Sequence, residues 1–412
     1  MPRGSKMRRG CAGTMMEAVM LRENPLRRLH ERAGASFLPY GPMIEIVESY
    51  GQPEVEYTAI RKSAALLDAP HRGVVELRGK DRLRFLQNLL TNDTRSLAPG
   101  RGCYAYLLDV KGRVMMDINI LHRSESTLLE VDARLTETLC RTLDNYLFAD
   151  DVKIFDISRT MGRLTLLGPR AAELLAMRGT PEVAELSDAL ASAQTRLGPV
   201  DIVMFRNDLC GEMQYELIIP REQLVPLWEA LVRGGLSAPP PAPVGTRPEQ
   251  GGASREDIPR AVGIGWAAFN IARIETGTPI LGIDITQQNL PMETSHWYSR
   301  AVSTSKGCYL GQEVVARMHS RRSVARLLVG LRLECPTPPL AGTDLLHGAA
   351  TVGTVTSSCM SPMLGNAPIA MGYVQREYAR PGTDLLVYND AGGTAARVTA
   401  LPHWAAPPQA AN

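Results

Sequence analysis

Lys306-Gly307-Cys308-Tyr309-Leu310-Gly311-Gln312-Glu313, continuing Val314-Val315-Ala316-Arg317, is the most information-dense stretch of the sequence. Its two glycines suit a tight loop with close backbone approach. Residues 312–317 read as the first turns of a helix, with Glu313 favoured near the positive end. Cys308 then lies just before that end, and in an extended loop Lys306 projects to the same side. An ammonium and a helix N-terminus both lower a thiol pKa. One reading of Cys308 is therefore a partly ionised, reactive thiol; the other is a small buried hydrophobe, the usual lot of a free cysteine.

Downstream of this stretch, from residue 326, short apolar alternations are separated by Gly/Pro turns, as at 327–331, 351–355, 385–388 and 396–401. Several short strands at such spacing predict a small antiparallel barrel or sandwich. Upstream, helical and strand patterns are mixed. Residues 55–67 and 80–90 carry helical periodicity, and 71–78, 103–108 and 113–121 alternate as strands. Asp109-Val110-Lys111-Gly112 is the turn joining the last two, with Gly112 free to take a positive φ. The order predicts α+β with mixed strands rather than a βαβ repeat. No glycine-rich phosphate loop follows a strand, which leaves a Rossmann or NTPase reading without support. Residues 237–256, with five prolines, read as a flexible surface insertion.

The chain has 412 residues, enough for two or three domains at ~150 residues each. We divide it into a disordered or over-extended start (1–22), a body (23–325), a barrel (326–405) and a frayed tail (406–412). Net charge is +2, and four positive charges precede the first acid, so the remainder is near neutral. That argues against a dedicated nucleic-acid binder. No apolar run approaches the ~20 residues of a membrane span. Seven cysteines without a C-x-x-C pair suggest free thiols in a reducing compartment, cytoplasmic or, in a eukaryote, the mitochondrial matrix, and no metal site.

Residues 306–313 match K-G-C-[YF]-x-G-Q-E, and in this the sequence resembles YgfZ-type folate-binding proteins, a branch of the glycine-cleavage T-protein (aminomethyltransferase) superfamily. Residues 24–35, 57–71, 85–93, 357–362 and 370–374 resemble the superfamily's other blocks. The resemblance implies a T-protein-like three-lobed, folate-binding body plus a small antiparallel β-barrel at the C-terminus, with tetrahydrofolate as ligand. Cys210-Gly211-Glu212-Met213-Gln214-Tyr215-Glu216 resembles the loop whose last Glu holds the pterin, which gives that role to Glu216. Arg273, in a stretch similar to R-[LI]-E-[AT]-G-x-P, inherits the role of ligand-contacting base. Tyr104 and Tyr309 fall at folate-wall aromatic positions.

Gly112-Arg113-Val114-Met115-Met116-Asp117 stands where T-proteins carry G-G-I-L-D-D. Asp117 matches the acid that promotes one-carbon transfer, and Met116 replaces the preceding Asp. An Asp among Met115, Met116 and Ile118 has its pKa raised and suits acid–base work; the plainer reading is a strand Asp facing solvent. The thiol motif and Met116 together favour a YgfZ-type role, supporting iron–sulfur cluster assembly or repair in client enzymes with indirect effects on tRNA modification. Cys308 and Lys306 would then face the folate pocket with Asp117. The alternative is an aminomethyltransferase proper, passing a one-carbon unit from an aminomethyl-lipoyl carrier protein to tetrahydrofolate.

Overall fold

Two antiparallel hairpin systems and a barrel arise from the alternating segments. The computed structural model describes residues 24–233, 260–321, 324–389 and 392–405. The segments read as a disordered start, a Pro-rich insertion and a frayed tail lie outside the described residues. The first sheet has five strands in the spatial order Gly102–Leu108, Val114–His122, Ser126–Asp132, Arg72–Arg78 and Lys153–Asp156, every neighbour antiparallel. The hairpin at one edge of this sheet, Gly102–Leu108 with Val114–His122, turns at Asp109. The Asp109 carboxylate accepts from the amides of Lys111 and Arg113, and Gly112 takes φ +73°. This pairing sets Tyr104 opposite Asn119 and Tyr106 opposite Asp117.

The second sheet runs Ser192–Leu197, Val200–Arg206, Gln214–Pro220, Met161–Leu167, Ala65–Asp68 and Val262–Ile264; only the last pair is parallel. The helical pattern at 55–67 is thus divided. A helix covers Pro53–Lys62, and the all-buried run Ala65–Asp68 becomes a strand. A short buried strand has no solvent face and so shows no alternation to distinguish it from helix. Val203, Phe205 and Ile218 of the second sheet belong to the same buried cluster as Tyr106 of the first. The far face of the second sheet is covered by helices Ala171–Met177 and Leu224–Arg233.

The barrel is closed, in the order Arg326–Leu333, Ala367–Gln375, Ala350–Ser361, Asp344–His347, Asp384–Asn389, Gly392–Thr399. Ile369, Met371 and Tyr373 on its wall pack with Ile274 of helix Trp266–Glu275. Polar stitches reinforce this apolar seam. Glu275 is fully buried, accepts from Tyr57 Oη, Arg61 Nη2 and Ser361 Oγ at 2.6, 2.6 and 2.5 Å, and so ties two body helices to the barrel. The chain then returns to the body. The Trp404 amide donates to the Glu275 carbonyl, and the Arg61 guanidinium lies 4.2 Å from the Trp404 ring centroid.

Candidate functional site

A central cavity lies between the two sheets and is roofed by the segment 278–300. Tyr104, Asp117, Asn119 and Glu130 line it from the first sheet, and Arg163, Thr165, Gln214 and Glu216 from the second. Trp266, Phe269, Trp297 and Arg300 complete the wall. Strand alternation explains the lining. Residues 117 and 119 share one face, while Met116, Ile118 and Ile120 between and beyond them point into the apolar core at 0–1% exposure. Met116 and Ile118, two of the neighbours that the sequence places beside Asp117, are therefore on the other side of its sheet. Its actual surroundings are aromatic and charged.

Asp117 Oδ2 accepts from Tyr104 Oη at 3.1 Å, and Oδ1 is buried without a partner. Burial raises the Asp117 pKa above the usual carboxylate range; the charges of Glu130 and Asp132 push the same way, opposed by Arg72 and the Tyr104 hydrogen bond. His71, on the same wall, is driven down to about 3 by burial and by Arg72, and is a neutral imidazole. The Tyr104 ring sits edge-on to Tyr106 and Trp297, at 5.6 and 5.9 Å. The Arg300 guanidinium lies 4.8 Å from the Trp297 centroid and donates to Asn207 Oδ1 at 2.6 Å.

A chain of buried ion pairs crosses from sheet to sheet. Arg72 donates to both oxygens of Glu130, at 2.5 and 2.7 Å. Arg163 reaches Glu130 through Nη1 at 2.6 Å, an ionic contact, and donates from Nη2 to Glu216 Oε2 at 2.7 Å. Thr165 Oγ1 and Gln214 Nε2 also donate to Glu216, at 2.6 and 2.7 Å. Burial alone would raise the Glu130 pKa, but Arg163, Arg72 and the Asn119 amide outweigh it and hold it near about 2. Both oxygens of Glu130 and Oε2 of Glu216 thus have two partners each, whereas Glu216 Oε1 accepts from Gln214 alone and keeps a lone pair for a further donor. Arg163 Nε and Trp297 Nε1 are buried donors without partners.

Of the residues singled out in the sequence, Asp117, Glu216 and Tyr104 meet at this cavity. The other four lie elsewhere, which corrects the expected constellation. Arg273 is 1% exposed and spends its donors on Asp284, Thr278, Asn270 and Ser357, fastening its helix to the barrel. Lys306 spends its donors on backbone carbonyls rather than on the thiol. Its ammonium donates to the carbonyls of Gln87, Leu90 and Asn92 at 2.8, 2.5 and 2.9 Å, closing the C-terminal end of helix Arg82–Leu89, and burial pulls it down to about 8. Cys308 is exposed and outside the cavity wall. Tyr309 packs into the first sheet's core with the Lys306 ammonium 5.3 Å from its ring. The motif is a clasp: Gly311, at φ +76°, presses on the hairpin turn, where an added Cβ would meet the Asp109 carbonyl oxygen at 2.5 Å.

The sequence reading missed Arg163, Glu130, Asn119 and Arg300. The first three had a signal, since each is a charged or amide residue flanked by apolar neighbours inside a strand: MGRLTLL, STLLEVD and VMMDINILH. A polar residue in such a run needs a buried partner.

The family model described as the GCVT N-terminal domain matches residues 26–246, and that of the glycine cleavage T-protein C-terminal barrel domain matches 326–404. An aminomethyltransferase of Symbiobacterium thermophilum is 30% identical over 394 residues, covering 94% of this chain and 98% of that protein. One from Bacillus pumilus is 26% identical over 93% and 99%. The crystal structure of the glycine cleavage system aminomethyltransferase T from Bartonella henselae superposes with a TM-score of 0.79 at 24% identity, over 92% of this chain and 97% of that one. These relatives overturn the YgfZ-type reading and, with it, the iron–sulfur role. The exposed clasp cysteine on which that reading leaned belongs to a packing element. An α+β body of two facing sheets, a closed six-stranded barrel and these matches together make the chain a member of the glycine cleavage T-protein family.

Proposed function

We propose that the protein is an aminomethyltransferase, which transfers a one-carbon unit from an aminomethylated lipoyl carrier protein to tetrahydrofolate, the folate of this family. The observation that carries the reading is the sharing of one buried cavity by Asp117 and Glu216, the first with a free oxygen and the second fully oriented.

The residues present fit a reduced pterin. Glu216, held from three sides, can accept an N–H of the aminopyrimidine edge at Oε1, which has one donor so far. The unpartnered Trp297 Nε1 and Arg163 Nε offer donors for ring acceptors, and Tyr104, Trp266 and Phe269 offer flat walls. Arg300, partly buried at the cavity wall, takes the role of the ligand-contacting basic residue expected of Arg273, and its guanidinium can hold the anionic tail of the folate. When bound, tetrahydrofolate supplies the pair of nitrogens that accept the one-carbon unit.

Asp117 is the acid. Tyr104 fixes Oδ2, which leaves Oδ1 to carry the proton. A raised pKa keeps that proton on the carboxyl to higher pH than an exposed Asp would. It is then at hand for the donor's amine, which must leave as ammonia. The aromatic side chains Tyr104, Trp266, Phe269 and Trp297 keep part of the wall apolar and limit water beside the one-carbon unit.

The test is formation of methylene-tetrahydrofolate from an aminomethylated lipoyl carrier protein. Wild type should turn over, and Asp117→Asn should lose roughly 10²–10⁴-fold in kcat with tetrahydrofolate affinity retained. Absence of wild-type turnover, or an Asp117→Asn variant of undiminished rate, would sink the reading.

A further inference from the structure

Asn119 stands two positions from Asp117, on the same strand face and in the same cavity wall. Its amide is locked. Nδ2 donates to Glu130 Oε2 at 2.7 Å, and Glu130 is clamped by Arg72 and Arg163. A carboxylate held between two guanidinium groups is ionised and only accepts. The amide must therefore turn its NH2 toward Glu130, which forces Oδ1 the other way. That oxygen is buried and has no partner, as is Asp117 Oδ1. Leaving one buried acceptor unmade costs about 1–3 kcal/mol. Here two stand on one wall; the guanidinium ends of Arg72 and Arg163 are engaged with Glu130 and Glu216, and Arg163 Nε is the donor offered to the pterin.

Asn119 Oδ1 lacks an N–H donor, and Asp117 Oδ1, once its proton has passed to an amine, lacks one too. An amine or ammonium supplies several; a thioether, an ether methyl or a quaternary nitrogen supplies none. We propose that Asn119 Oδ1 and Asp117 Oδ1 form a binding site for the amine nitrogen of the one-carbon donor, so that Asn119 selects donors bearing N–H groups. The inference rests on the aminomethyltransferase reading, because it assigns a place to the nitrogen that reaction releases.

Two measurements test it. In ¹⁵N-labelled protein, the side-chain amide signal of Asn119 is identified by its loss in Asn119→Val. It should shift saturably with methylammonium and stay still with tetramethylammonium, which has the charge without the N–H. Equal responses to both cations, or none to either, would overturn the site. In the reverse reaction, run with ammonium as substrate, Asn119→Val should raise the KM for ammonium roughly 10–100-fold, the worth of a hydrogen bond to a charged group, with kcat and tetrahydrofolate affinity little changed. Asn119→Thr has the same shape as the Val variant. Its hydroxyl can donate to Glu130 and accept from the amine, so it should recover most of the loss; a purely structural role would not separate the two variants by ammonium KM. Asn119→Val with an unaltered ammonium KM would refute the proposal. Methylammonium shifts in a protein that moves no one-carbon unit from a lipoyl carrier would retain the site and refute the aminomethyltransferase reading.

Discussion

The clasp at 306–313 and the cavity wall at 117–130 teach opposite lessons about reading chemistry from a chain. The clasp concentrates reactive-looking residues in eight positions, yet its lysine caps a helix, its tyrosine fills a core and its cysteine faces outward. The cavity wall shows one acid, one amide and one more acid scattered through apolar strands, and these converge with Arg163 and Glu216 on one enclosed space. Density of polar residues in a loop reflects how many backbone groups there need partners. A lone polar residue in a buried strand has no such excuse, so its presence marks a partner across the sheets.

The contrast is breakable by substitution. Arg163→Met should be the most damaging change. It strips Glu130 and Glu216 of their shared cation, and losing one partner of a buried pair costs about 3–5 kcal/mol; urea unfolding at neutral pH would measure it. A cost under about 1 kcal/mol, typical of exposed pairs, would make the wall no more than a surface network.

Acid titration sharpens the same point. Glu130 sits near about 2 when folded, against an ordinary value of 4.5. The folded state thus binds this proton less readily than the unfolded chain. Its contribution, of order 3 kcal/mol, is present above about pH 4.5 and is lost as pH falls toward 2. Glu130→Gln should flatten that portion of the stability profile, and a profile identical to wild type would contradict the assignment.

On the clasp side, Gly311→Ala should cost about 1–3 kcal/mol, because a left-handed backbone and the Asp109 carbonyl both oppose a side chain; thermal unfolding reads it. Smallest of all, Cys308→Ser should change stability by less than about 0.5 kcal/mol, as at other exposed sites. One-carbon transfer should be unaffected. A large loss of transfer rate in that variant would return the clasp to the chemistry.

Much of this architecture was legible in the strand periods. The hairpin at 102–122, its Asp109 turn and the barrel of short strands follow from alternation and turn residues. Of the site, Asp117, Glu216 and Tyr104 came from motif resemblance, and strand alternation accounts for their common orientation. The direction of side chains in the 306–313 loop was not legible, since a loop has no period. Nor was the fate of Arg273. Its partners Asp284 and Ser357 are 11 and 84 positions away, and only the docked barrel brings the second within 2.7 Å.

The knot of Tyr57, Arg61, Glu275, Ser361 and Trp404 has a consequence for biosynthesis. Glu275 belongs to the body, but the serine and tryptophan that complete its surroundings emerge from the ribosome some 86 and 129 residues later. A nascent chain that has made both sheets still carries an open, charged seam. The body therefore cannot reach its final rigidity until the barrel has been made, and a stop codon anywhere within the barrel would leave that seam exposed to proteases.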